Sequence, residues 1–425
     1  MDSASTMYLF YFASDVCRDL VLYDDAQSNA FRQLIPLSNK YPILLQVIIA
    51  NSALHLSNAY QKSLHPIKPA RSPLYPTGTE ELIGADSIGA RIQQFRAYKD
   101  SLLAKQRSLH LLRSALSDIA AADIDVTLAV VLLLIECELI DSGRNNWRFH
   151  VSGARTIMKR LCLSGLSNKT PLSPLRRNLI SNCIVFDILG STLTSTNDRS
   201  SDYVMSTETF SLLQDAEGNH CSSMPAILLQ MIQAGSQVFQ QFYAKSHPES
   251  FSAADVQQQL LLLLHTTESF DPSAWATILQ ARSPASDVEH RKHIAAAHRT
   301  AVCLYLCRIH LSIFPEVQLA YDLELLAADI VDNLTIIQPS DALFTATTWP
   351  AFIAGAETND SSRQAWAMKR FLELWEVEPW GLMRGAIEVL DQIWSEKRDT
   401  SFVGNRQNGN WLVNLKERGV DWLII

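Results

Sequence analysis

The sequence predicts an all-α fold, a multi-helix array of stacked helical hairpins forming one continuous body, with two lobes as the variant arrangement. Three observations carry this reading. Glycine occurs only 15 times in 425 residues, strand-type alternation is scarce, and long runs free of Gly and Pro are common, a balance that favours helix over sheet. Residues 126–135 are apolar on every side, the mark of a helix enclosed by other helices. Around that run, residues 123–161 read as a helical hairpin: Asp123 or Asp125 caps the first arm, Gly143 sits where a left-handed residue ends it, and Asn145 or Asn146 caps the second. In the second arm Trp147, Val151, Ala154, Met158 and Leu161 recur at helical spacing, with Arg148, Arg155 and Lys159 opposite.

The other elements follow from the same periodicity. Residues 1–7 read as a tail, 8–23 as a first helix and 40–61 as a second, separated at Pro36, with Tyr41, Leu44, Leu45, Ile48, Ile49 and Ala53 marking an apolar face. His55, between Leu54 and Leu56, reads as a hydrogen-bonded structural histidine. From 65 to 89 the chain carries Pro66, Pro69, Pro73, Pro76, Gly78 and Gly84, which predicts a surface loop. The helix expected over 90–119 repeats Ile92, Phe95, Leu102, Leu109, Leu112, Leu116 and Ile119; Arg96, Lys99, Lys105, Arg107 and Arg113 form its opposite, solvated face. No turn and recognition helix accompany those cations, so a DNA-facing role is not expected of them.

A break at 163–174 precedes a helix that Ser173 caps and Pro174 opens, running to about 194. The polar stretch 195–222 is expected to be irregular. Helices are then expected at 225–243, 252–270, 286–313, 316–336, 342–357, 361–377 and 379–397. Ser252 with Asp255, and Ser361 with Gln364, have capping-box spacing, and Pro379 fits a first turn.

Composition excludes several classes of function. A formal charge of −8 and a pI near 5.8 give no general attraction to phosphate backbones, so direct nucleic-acid binding is not expected. Seven cysteines at scattered positions fit reduced thiols rather than a disulfide framework. The apolar patch at 7–12 follows Asp2 with no Lys or Arg, unlike a secretory signal. The run 126–135 is about half the length of a membrane span, and no membrane association is expected.

Local signatures of chemistry are equally sparse. The chain has no Gly-rich loop ending in Gly-Lys-Ser/Thr, no Gly-x-Ser-x-Gly elbow and no His-Glu-x-x-His pair. Asp24–Asp25 and Asp123/Asp125 lack the third carboxylate that a diphosphate-bound metal pair needs. Cys303, Cys307 and His310 fall on one side of one helix and could offer three zinc ligands, but buried cysteines at a helix seam explain two of them without metal. His290, His293 and His298 scatter around the same helix. No catalytic residue, metal or cofactor is expected.

The segment WRFHVSGARTIMKRL, with Trp147, His150, Gly153 and Ala154, resembles the Trp-x-x-His-x-x-Gly-Ala helix of the fungal-specific transcription factor regulatory domain. Residues 29–56, ending in Ala53 to Leu56 with His55, are similar to that family's opening block. TWPAFIAGAETNDSSRQAW, with Trp349, Pro350, Phe352, Ala354 and Gly355, is similar to its Trp-Pro-x-Phe-x-Ala-Gly segment, and HRTAVCLYLCRIHLSIFP to the helix before it. The blocks stand in the family's order across 8–425. Their Trp, Gly and small residues read as packing devices: Gly153 forfeits about 1 kcal/mol against Ala inside a helix, so it should mark a close helix–helix approach, and Pro350 should start or kink a helix.

Family members carry a six-cysteine, two-zinc DNA-binding module ahead of this domain, and the present sequence shows no such cluster. The resemblance therefore implies a nuclear transcription-regulatory protein, shuttling with the cytoplasm as a variant. It would lack its own DNA-binding module and act through protein contacts, with the transcription machinery or a DNA-binding partner, or through a small-molecule effector. Control of a metabolic gene cluster, as in secondary metabolism, is part of that expectation. The alternatives are an all-α enzyme acting on a lipophilic substrate, suggested by the apolar helices and nine tryptophans, and a non-catalytic helical scaffold.

Overall fold

The computed structural model describes residues 2–25, 29–64, 85–117, 123–165, 172–195, 206–243, 252–398 and 410–425. The chain opens with α1 (Ser3–Tyr11), a π turn over Phe12–Val16, α2 (Cys17–Asp19), α3 (Leu34–Ser38) and the paired long helices α4 (Pro42–Leu64) and α5 (Ala85–Ser117). The central hairpin is α6 (Ile124–Asp141) and α7 (Trp147–Gly165), followed by α8 (Pro174–Ser191) and α9 (Thr207–Ala216). The second half holds α10 (Ala226–Tyr243), α11 (Ala253–Glu268), α12 (Pro272–Gln280), α13 (Val288–Ile313) and α14 (Leu323–Thr335). It ends with α15 (Thr348–Glu357), α16 (Ser361–Val377), α17 (Gly381–Arg398) and α18 (Trp411–Glu417). Among the described residues the only β pairing is two isolated bridges, Val21 with His220 and Arg144 with Trp422.

Two helices organise the interior. α6 is buried continuously from Val126 to Ile140 and packs against α4, α7, α8 and α17. α13 has the same place in the second half, against α10, α11, α12, α14 and α15. One apolar cluster joins both, running from Tyr8 to Ile425, so the helices share a single core. α4 is long and apolar enough to cross a membrane, but its polar residues serve the core. Asn51 donates to the Leu133 carbonyl at 2.8 Å and Asn58 to the carbonyls of Ile140 and Pro379 at 2.7 and 2.9 Å.

The central hairpin is closed at both ends by local chemistry. Asp123, rather than Asp125, caps α6 by accepting from the Val126 N–H at 3.3 Å; Asp125 pairs with Arg176. Gly143 takes φ +68°, the left-handed conformation that ends a helix at least cost with glycine. Asn145, also left-handed at φ +56°, turns its carboxamide to the Asp421 N–H.

Several expected boundaries are corrected. α1 starts at Ser3 because Asp2 caps it, accepting from the Ser5 N–H at 2.7 Å. Of the expected loop 65–89, residues 85–89 are helical, and 65–84 lie outside the described residues. The polar stretch 195–222 contains α9, capped by Ser206. α12, capped by Asp271, and α18, capped by Asn410, are short helices whose periods are too few to read from sequence. α14 begins only at Leu323, where Asp322 caps it. Asp360 displaces Ser361 as the cap of α16, and Ser252 stands at the α11 cap position without a side-chain bond. Pro379 precedes α17, which starts at Gly381.

The largest correction concerns α5. The apolar row that periodicity assigns to a packed face is outermost: Ile92, Phe95, Leu102, Leu109 and Leu116 are exposed, and only Leu112 of the described ones is buried. The helix docks on α4 through small residues instead, Ala97, Ser101, Ala104 and Ser108, with Ser101 donating to the Ala50 carbonyl at 2.9 Å. Small side chains allow two helix axes to approach closely, and that contact outweighs burial of the larger row on this body.

Candidate effector cleft

Apart from Gly153, the residues matched to the family blocks lie in or against the packing scaffold. Ala53 is fully buried in α4. His55 is held from both ring nitrogens, by the Tyr11 hydroxyl at 2.9 Å and by Asp19 at 2.9 Å. His150 faces Glu138 at 3.3 Å, and Lys105 reaches the same carboxylate at 2.6 Å. The buried Trp147 donates its indole N–H to the Asp421 carbonyl at 3.2 Å, and Ala154 is buried beside it on α7. Trp349, Pro350, Ala354 and Gly355 are enclosed in α15, where Pro350 occupies the first turn. Trp349 stacks on His298 with ring centroids 6.3 Å apart.

Gly153 does not mark a close helix approach. A Cβ built there meets nothing within 4 Å. The crowded glycines are others: at Gly355 a Cβ would lie 3.0 Å from Ala367, and at Gly190 it would strike Trp147. Sequence reasoning found Gly355 through its block and missed Gly190.

Cys303, Cys307 and His310 share one buried helix face. Both cysteines are free thiols, whose ionisation burial suppresses, and His310 lies against Phe314. Among the described residues no group of three or more His, Cys, Asp or Glu is placed to hold a metal ion.

The open concavity is elsewhere, where α4, α5, α16, α17 and the end of α6 meet. It is a cleft of about 640 Å³. Gly381 and Gly385, one turn apart on α17, bring that helix down onto the end of α6. A Cβ at Gly381 would lie 2.5 Å from the Asp141 carbonyl carbon, and one at Gly385 would lie 2.7 Å from the Ser142 oxygen. Asn58 clamps the same junction from α4. Three arginines line this opening: Arg91 from α5, Arg144 from the hairpin turn and Arg384 from α17.

Two of these cations rest on aromatic faces. Arg144 lies 4.4 Å from the Trp422 ring centroid and Arg384 5.6 Å from that of Trp375, contacts that orient the guanidinium planes. Arg144 also pairs with Glu388, while its Nε is buried and donates to no group. Asp141 also lines the cleft, and burial pushes its carboxyl above the ordinary range. Phe95 and Tyr98 line the α5 side. The arrangement can receive a small anion with a flat apolar body: guanidinium groups match carboxylate or phosphate geometry, and the aromatic walls cover the remainder. Among the described residues, no His, Cys or Lys lines the cleft. Ser142 donates to Asp141 there at 3.3 Å.

With the fold and cleft in place, the comparisons with known proteins agree with the family blocks. The model of the fungal specific transcription factor domain matches residues 7–425, and the chain belongs to that family. Among its relatives, acriflavine sensitivity control protein acr-2 of Neurospora crassa is 30% identical over 432 positions, covering 100% of this chain and 68% of the relative. No solved structure is matched.

Proposed function

We propose that this protein is a fungal transcription regulator whose helical body senses a small anionic molecule in the Arg91–Arg144–Arg384 cleft and passes the signal on by protein contact. The observation that carries this reading is the cleft itself: an opening lined by three arginines against two carboxylates, Asp141 and Glu388.

The protein reaches promoters through a DNA-binding partner and works in the nucleus. Its charge of −8 and scattered cysteines support that route over direct phosphate binding. The name of the acr-2 relative speaks of acriflavine sensitivity control; we extend this to target genes that make or tolerate small molecules, including a metabolic gene cluster. The protein performs no catalysis of its own. An enzyme acting on a lipophilic substrate would want an apolar cavity, whereas this cleft is lined by arginines and carboxylates.

The test is transcript profiling of a deletion strain together with capture of partners from nuclear extract. A restricted set of changed transcripts and a co-captured DNA-binding protein are expected. Unchanged transcripts with no nuclear partner would leave a helical scaffold as the better description.

A further inference from the structure

The outward row of α5 has a spacing that ordinary solvated helices lack. Ile88, Phe95, Leu102, Leu109 and Leu116 recur every seven residues, with Ile92, Lys99, Gln106 and Arg113 at the alternate position four residues on. A heptad row of apolar residues supplies one of the two positions of a coiled-coil seam; the other is apolar here only at Ile92 and otherwise holds Lys99, Gln106 and Arg113. The apolar members are open to solvent: Ile88 is 53% exposed, Ile92 62%, Phe95 71%, Leu102 50%, Leu109 39% and Leu116 40%. At 1.5 Å per residue the seam is about 42 Å long. It lies opposite the small-residue face through which α5 is fixed to α4, so the body holds it outward as a rigid rod.

Charge identifies the occupant. Between Ile88 and Ser117 the helix carries Arg91, Arg96, Lys99, Lys105, Arg107 and Arg113, against the single acid Asp100. That acid is engaged by the Tyr8 hydroxyl at 2.8 Å, and Lys105 turns inward to Glu138. The cations left on the outer side flank the seam, and Lys99 and Arg113 lie within it. A second copy of the chain would set these like charges against each other. A bilayer would have to receive the two seam cations among its acyl chains. A helix with apolar residues in heptads and Glu or Asp beside them meets both the apolar and the charged positions.

We propose that α5 is a docking surface for an acidic, amphipathic helix of a partner protein, paired along the Ile88–Leu116 seam in coiled-coil fashion. Phe95 and Arg91 also line the neighbouring cleft, but the remaining seam from Leu102 to Leu116 lies beyond it, and the docking proposal stands whether or not the cleft binds a ligand.

The test uses the full chain and a fluorescent probe peptide of four heptads with Leu at both seam positions and Glu on the flanks. A second probe carries Lys on the flanks. Fluorescence anisotropy should show saturable binding of the Glu probe, weakening as salt is raised, and at least tenfold weaker binding of the Lys probe. Leu102→Ser with Leu109→Ser should weaken the Glu probe at least tenfold while circular dichroism and melting temperature stay as in the wild type, since both side chains are exposed. Lys99→Glu with Arg113→Glu should reverse the preference between probes. Equal binding of both probes, binding unaffected by the double leucine variant, self-association of the chain through this seam in sedimentation, or binding only to anionic vesicles would each overturn the proposal.

Discussion

A Cβ on Gly190 would fall 2.5 Å from Cζ3 of Trp147, so α8 can cross α7 only where it has no side chain. The tryptophan that heads the family motif is thus seated by a glycine outside it.

Gly190→Ala should destabilise the protein by about 1–3 kcal/mol, the usual cost of overpacking a rigid core. Gly153→Ala meets open space and should stabilise by up to about 1 kcal/mol through helix propensity. Urea denaturation of the two variants measures both, and opposite signs are expected.

Asp421 clasps three segments. Its carboxylate accepts from Arg148 at 2.5 Å and from the Ser195 N–H at 2.8 Å, and its backbone pairs with Asn145. Asp421→Ala orphans a buried N–H and should cost about 1–3 kcal/mol. Hydrogen exchange should show faster opening at 143–147 and at Ser195 than elsewhere in the core.

Glu136 is enclosed in α6 with one carboxylate oxygen unpartnered, and burial pushes its pKa up to about 8. The folded state then holds a proton that the unfolded chain releases near pH 4.5. This group's contribution to stability falls as pH rises from 4.5 to 8, and is constant above. Glu136→Gln should flatten that fall, a change on the order of a few kcal/mol, read from denaturation midpoints at pH 5, 6, 7 and 8.

Lys416 gives the opposite slope. It is buried, donating to the Ser191 and Thr194 carbonyls at 3.0 Å each, and burial lowers its pKa to about 7. Between pH 7 and 10.5 the unfolded chain binds the proton that the folded state has lost, so stability from this group rises with pH there. Lys416→Met should remove the rise, measured by urea melts from pH 7 to 9.

What the sequence discloses is the part governed by short-range rules. The enclosed run of α6, the cap at Asp123, the break at Gly143 and the start of α8 at Ser173 and Pro174 depend on neighbours a few residues away, and each is where periodicity and capping put it. α5 was misoriented because periodicity reports where large apolar residues fall, not which face the body covers; Ala97, Ser101 and Ala104 carry too little hydrophobic signal to be read as the docked side. The cleft was invisible for a related reason. Arg91, Arg144 and Arg384 are far apart in sequence, and what unites them is Gly381 and Gly385 pressing α17 onto the end of α6.

The most direct measurement is transcript profiling of a deletion strain complemented with Arg384→Ala. Arg384 is exposed on α17, so the variant should accumulate and melt like the wild type. An effector cleft predicts that it restores the protein but not the wild-type transcripts. Full restoration by a variant stripped of this guanidinium, and equally by Arg91→Ala, would contradict a sensing role for the cleft.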